Sequence, residues 1–336
     1  MKTTLYSILA AAACGMAFGQ TAYTNPVGYT TTALKTGKFN LLGMTVQQPT
    51  VLAGVLNVTQ STTAGTLVIT GADFSSVVIA ASQTYAVEIN SGSNSGTVFE
   101  VPDTSFNNTT DTITVGAPLD TTSFASASFS IRKIATIADV FGPANEAGLL
   151  PGTATSNSDV LYIPNAAGVL EQYWYSSGGL VGAGWRKFGG GATPRGNVLL
   201  SYIDSFYVYR RGGIDLDLVT SGIVKGNDTK LPLFTGYNYI GSSYPAGATL
   251  ATSNLSATLT PGTATSNSDV VWVPNATTGV LEQYWYSSGG LVGAGWRKFG
   301  GGATSQANLP LSSGIIIQRR GAAVNALMSA PPSYDW

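Results

Sequence analysis

Acid–base and nucleophilic chemistry in this chain must come from a short list of side chains. There is no histidine and one cysteine, Cys14. A Ser-His-Asp triad and a His-ligated zinc are excluded, and a thiol nucleophile is lost if the leader that holds Cys14 is removed. Carboxylate chemistry remains. Glycoside hydrolysis needs two carboxyls flanking one bond, and the glutamates are Glu88, Glu100, Glu146, Glu171 and Glu282. Glu171 and Glu282 occupy the same place in two copies of one segment, so they are not expected to meet as a pair. The glycines of "KFGGGAT" follow a strand but lead into no helix, so they make no phosphate cradle. "TATSNSD", ending at Asp159 and again at Asp269, offers oxygens to calcium but lacks spaced carboxylates. A turn held by side-chain hydrogen bonds is the favoured reading. The expectation is a protein that is not an enzyme and carries no cofactor or metal.

The strongest binding candidate is a repeated aromatic segment. "GVLEQYWYSSGGLVGAGWRKFGGGAT" occurs at 168–193 and again, unchanged, at 279–304. Each copy reads as a hairpin: strand, Ser/Gly loop, strand. Strand side chains alternate, so Tyr173 and Tyr175 share one face and Trp174 the other. Trp185 and Lys187 share a face, as do Arg186 and Phe188. The second copy repeats this with Tyr284, Trp285, Tyr286, Trp296 and Arg297. In one reading Tyr173, Trp174, Tyr175, Trp185 and Arg186, with their counterparts, stack on sugar rings and bond hydroxyls. Two copies would add avidity. In the other the tryptophans fill the core and the tyrosines pack across strands, which is the commoner use of aromatic hairpins. The basic pairs Arg132-Lys133, Arg210-Arg211 and Arg319-Arg320 each end an apolar strand. They read as solvated strand ends or as ion-pair partners of the few acids.

These segments belong to longer repeats. "PGTATSNSDVLYIPN" from 151 returns from 261 as "PGTATSNSDVVWVPN", and one extra Thr follows in the second copy. "FYVYRRG" (206–212) corresponds to "IIIQRRG" (315–321), "ATIADVF" (135–141) to "ATLATSN" (248–254), and "GKFNLLG" (37–43) to "TGYNYIG" (235–241). The organisation read from this is a signal peptide at 1–19 and a diverged N-terminal β module at 20–133. A repeat module with a connecting strand covers 134–234, and a second repeat module covers 235–336. Short runs such as "YAVEI", "DVLYIP" and "GIIIQRR", bounded by Gly, Pro, Asn and Ser, predict an all-β chain. The modules read as β-sandwiches or small barrels of short antiparallel strands. One short helix is expected near 136–142, capped by Thr136 and ended by Gly142-Pro143.

Only 10% of the residues are charged and the net charge is −1. That gives no electrostatic footprint for nucleic acid. "MKTTLYSILAAAACGMAFG" has the basic start, apolar run and small residues of a signal peptide, with cleavage expected after Gly19. The alternative of lipidation at Cys14 rests on a poor box, because Ala11 stands where Leu is usual. No later apolar run is long enough for a transmembrane helix, and without Cys14 no disulfide forms. The chain is expected to be exported to the cell surface, periplasm or medium.

"NPVGYTTTALKTGKFNLLG", "YAVEINSGSNSGTVFEV", "FSIRKIATIADVFG", "SDVLYIPN" and "GWRKF" occur in this order. Together they resemble a family of secreted all-β proteins from Gram-negative bacteria of the Verrucomicrobia and Planctomycetes type. The resemblance spans most of the chain after the leader. It implies export and lineage, and it supplies no catalytic residue. The expected function is therefore a secreted, non-catalytic structural or envelope protein built from β repeats. One alternative is a carbohydrate-binding protein using the aromatic hairpins, with cell-surface polysaccharide as partner. Another is an outer-membrane β-barrel, suggested by the terminal Trp336 but opposed by the prolines in "SAPPSYDW". Self-association is a further expectation, since low charge and sheet edges favour it.

Overall fold

The computed structural model describes residues 27–55, 57–58, 66–70, 79–116, 126–311 and 314–334. The expected signal peptide lies outside them. The chain is all-β, built from short antiparallel ladders. Among the described residues one α-helix occurs, α1 (Ile137–Phe141). Thr136 Oγ1 accepts from the Asp139 amide, and the Asp139 carboxylate accepts from the Thr136 amide. This capping box starts the helix, and Gly142 at φ 85° ends it.

Two five-stranded sheets form the frame. The first contains β2 (Phe39–Gly43), β12 (Val160–Pro164), β13 (Leu170–Ser177), β14 (Ala183–Lys187) and β16 (Ser205–Tyr209), in the order β14-β13-β12-β16-β2. The second contains β19 (Gly236–Ile240), β20 (Val270–Pro274), β21 (Leu281–Ser288), β22 (Ala294–Lys298) and β23 (Ile315–Arg319). Its order is β22-β21-β20-β23-β19. The two orders coincide once 37–43 is matched to 235–241.

The strand β2 shows that residue 133 is not a sheet boundary. β2 comes from the stretch 20–133 but pairs with β16, Leu42 facing Phe206. Between β2 and α1 the chain makes a separate sandwich. One sheet holds β3 (Thr50–Val55), β6 (Thr84–Ile89), β7 (Val98–Pro102) and β10 (Ser128–Lys133). The other holds β4 (Asn57–Val58), β5 (Thr66–Thr70), β8 (Phe106–Asn107) and β9 (Thr112–Gly116). Val87, Phe129 and Ile131 from one sheet meet Ile113 and Val115 from the other in a shared core. Three short ladders complete the fold. They pair β1 (Val27–Leu34) with β17 (Leu216–Ile223), β11 (Ala135–Thr136) with β15 (Leu199–Leu200), and β18 (Thr229–Leu233) with β24 (Val324–Met328).

Each five-stranded sheet buries one face. In the first, Leu161, Ile163, Phe206 and Trp185 pack beneath α1, whose Phe141 ring lies 5.9 Å from Trp185 and 6.2 Å from Phe206. In the second, Val271, Ile315, Ile317 and Trp296 pack beneath Leu250, Leu255 and Leu259. Each of these large side chains contributes about 1.5–3 kcal/mol when fully buried.

A buried ionic cluster fixes the sandwich to the frame. Glu88 on β6 accepts from Arg132 at 2.6 Å and from Lys225, which follows β17. All three are buried. Burial lowers the Lys225 ammonium and Arg132 guanidinium pKa values, and the Asp228 charge opposes the shift at Lys225. The turn between β6 and β7 also docks on β18, Lys230 N donating to Gly96 O at 2.8 Å. Gly96 has φ +84°, and a Cβ there would lie 2.8 Å from Asp228 O. These ties set where β7 and its Glu100 lie.

Candidate functional site at the junction of the two sheets

The residues expected to bind sugar are buried. In the first hairpin Tyr175 faces Trp185 across the ladder and Trp174 faces Arg186. Tyr173, Trp174, Trp185 and Arg186 are 4, 5, 3 and 7% exposed. Tyr284, Trp285, Trp296 and Arg297 of the second are equally buried. Only Tyr175 and Tyr286 are half-buried, and each packs edge-on against its tryptophan at 5.4 and 5.6 Å. The arginines are consumed too: Arg186 donates to the carbonyls of Val181, Ala183 and Trp185, and Arg297 to those of Val292, Ala294 and Trp296. Stacking needs an exposed ring face, so the hairpins offer core packing and loop closure in place of a sugar platform.

The hairpin carboxylates are occupied as well. Glu171 accepts from Lys187 at 2.7 Å, from Tyr173 Oη at 2.6 Å and from Asn165 at 3.3 Å. The Lys187 and Tyr173 bonds hold its pKa down at about 2. Burial raises Glu282, but bonds from Lys298, Tyr284 and Asn275 together bring it below the usual range. Asp159 is fully buried and accepts from Arg210 and from the amides of Leu150, Arg211 and Gly212. Asp269 accepts from Arg319 and the amides of Thr260 and Arg320. The strand-end arginines are thus internal ion-pair partners, and the "TATSNSD" turn is held by hydrogen bonds.

The two sheets meet with reciprocal contacts: β16 touches β19, and β2 touches β23. Gly241 N donates to Ile203 O at 2.9 Å, and Ser205 Oγ donates to Ile315 O at 3.3 Å. The matching glycines Gly43 and Gly241 lie at the contact, where a Cβ on Gly43 would come within 2.7 Å of Gly241 Cα. No side chain fits there, which explains glycine at both positions.

A cleft of about 590 Å³ opens at one side of this junction, within the usual range for a ligand site. Its walls are the β12–β13 turn (Asn165 to Gly168), the β15–β16 connection, and the strand β19 with Phe234 before it. Among the described residues β19 has a ladder partner on one side only. Tyr237 and Phe234 are 61 and 56% exposed. The Tyr239 ring stands 6.1 Å from Tyr207. Tyr207 belongs to an aromatic cluster on the sheet face away from α1, where Phe39 lies 5.4, 6.0 and 4.6 Å from Tyr162, Tyr207 and Tyr209.

Two carboxylates line the cleft, Glu100 from β7 and Asp204 from the turn before β16. Asp204 keeps solvent contact on its open side. Crowding by the cleft walls, reinforced by the Glu100 charge, pushes its pKa up to about 7. No Lys or Arg lines the cleft, and among the described residues neither carboxylate has a side-chain hydrogen bond or ion pair. Sequence reading weighed Glu100 only as one of five glutamates and passed over Asp204 in "SYIDSF". Neither sits in a motif, and the fold alone brings them together.

No family model, curated protein or solved structure matches the chain.

Proposed function

We propose that the chain is an exported, non-catalytic structural or binding protein of the cell surface or envelope. The observation that carries this reading is how its charge is used. In both repeats the hairpin and strand-end carboxylates are engaged by fixed cations and backbone amides, which occupies the four carboxylates that the two copies share. The leader and the resemblance to secreted Gram-negative proteins support export. Cell fractionation with protease shaving of intact cells tests it. Recovery at the surface or in the periplasm is expected, and retention in the cytoplasm contradicts it.

A second reading, carbohydrate binding, is favoured by one observation: an aromatic-walled cleft that adjoins an aromatic sheet face. Here the binding residues are Phe234, Tyr237 and Tyr239, with Phe39, Tyr162, Tyr207 and Tyr209 beyond them, in place of the buried hairpin tryptophans. Flat rings of this kind stack on the apolar faces of sugars, and cell-surface polysaccharide is the partner. Tyrosine and tryptophan fluorescence titrated with a panel of soluble glycans tests it, and no change across the panel removes it. The barrel reading has less to carry it: the described strands run from two to eight residues and the sheets have free ends. A strand crossing a bilayer needs about 9–11 residues.

A further inference from the structure

This inference rests on the carbohydrate reading and names what the sugar must carry. Of the other carboxylates among the described residues, six (Asp159, Asp215, Asp269, Glu88, Glu171 and Glu282) are matched by a cation. Glu100 and Asp204 have no such partner and line the same cleft. They face one cavity from two different parts of the fold, with no opposing cation in its lining. The same cavity presents aromatic surface from Phe234, Tyr237 and Tyr239. Both residues are exposed to solvent, so a neutral sugar laid over them would cover two like charges without compensating either, and an acidic sugar would be repelled. A ring bearing a primary ammonium group satisfies both features. The charge pairs with the carboxylates, and the ring and its cation lie against the aromatic walls.

We propose that the junction cleft binds a polysaccharide with free amino groups, one ammonium seated between Asp204 and Glu100 and the adjoining ring stacked on Tyr237 or Tyr239. Further rings would run past Tyr239 onto Tyr207 and Phe39. Binding suits the pair better than hydrolysis. Catalytic carboxyls are held in place by hydrogen bonds to neighbouring groups, and no side chain of the described residues holds either of these. A Coulombic partner for a mobile ammonium needs no such alignment.

The test is calorimetric titration of the full mature chain at pH 6.5, where the glucosamine amines carry charge, and low salt with three six-residue oligosaccharides: a glucosamine oligomer, its N-acetylated form and a neutral glucan. The glucosamine oligomer should bind at least tenfold more tightly than the other two. Asp204→Asn and Glu100→Gln should each erase that preference while leaving the melting curve cooperative, since neither side chain supports the fold. Equal binding of all three overturns the ammonium site and leaves the carbohydrate reading standing. Binding of a lysine oligomer with no sugar binding assigns the site to peptide and overturns the proposal together with that reading. Binding of none of these probes overturns both. Appearance of new reducing ends during incubation overturns the proposal in favour of hydrolysis.

Discussion

The two junction edges are built from matching strands, yet only one of them forms the 590 Å³ cleft. At the edge of β2, Lys38 reaches the β20–β21 turn, its Cβ and Cγ lying 3.9 Å from where a Cβ on Gly279 would stand. At the edge of β19 the residue matching Lys38 is Gly236, which has no side chain. The facing turn is also one residue shorter: it reads "PNAAGV" where the other copy reads "PNATTGV", and a Cβ on its Gly168 would meet open space. Asp204 has Ser313 as its sequence counterpart. Identical hairpins thus make equivalent sheets, and the few unmatched residues distinguish the two edges. Repetition supplies the frame, and divergence supplies the cleft proposed as the site.

The comparison can be broken first at its shared part. Asp159→Ala strands Arg210 and three amides, and Asp269→Ala does the same to Arg319 and two amides. Removing one partner of a buried pair costs about 3–5 kcal/mol, so urea denaturation should show a loss of that size in each, slightly larger for Asp159→Ala. A loss below about 1 kcal/mol in either would mean that the buried pair does not anchor its sheet.

The next effect separates the copies. Trp185 Nε1 donates to Gly142 O at 2.9 Å, whereas Trp296 Nε1 has no acceptor among the described residues. Trp185→Phe should therefore cost about 1 kcal/mol more than Trp296→Phe, measured in parallel denaturation curves. Equal losses would show that the helix end at Gly142 gains nothing from the indole.

A smaller effect follows from Asp204. Its pKa is raised in the folded chain to about 7, so the folded state holds this proton to higher pH than the unfolded state does. Stability is then lost as pH rises from near 4 to 7, and the loss is complete above 7. Asp204→Asn should raise the melting temperature at pH 8 and leave it unchanged at pH 3.5. The rise should be modest, because the carboxylate keeps solvent contact. A lower melting temperature at pH 8 would mean that Asp204 has a stabilising partner.

Much of the frame could be read from residues in order. β-Branched and aromatic runs marked β12, β16 and β23, and Thr136 with Gly142 marked α1. Likeness between "GKFNLLG" and "TGYNYIG" was visible, but the sequence did not say that β2 would skip the following sandwich and join β16. That pairing spans more than 150 residues and depends on Leu42 and Phe206 sharing a core. The cleft was less legible still. Glu100, Asp204 and Tyr237 come from three separate stretches, and nothing in the order of residues sets the turn with the extra Thr opposite Lys38. The hairpin aromatics left sugar stacking and core packing both open. Their spacing put one aromatic on each face, but only the fold shows both faces covered.

The most direct test copies the longer turn into the first repeat. One Thr inserted between Ala167 and Gly168 converts the open edge toward the closed one without touching Asp204, Glu100 or the aromatic rings. If divergence at this turn makes the site, the variant should melt within about 1 °C of the parent, since surface loops tolerate insertion at little cost. It should also bind the glucosamine oligomer at least tenfold more weakly in the same calorimetric titration. An inserted variant that binds as tightly as the parent would contradict the account, because the ligand would then lie outside the cleft that distinguishes the two copies.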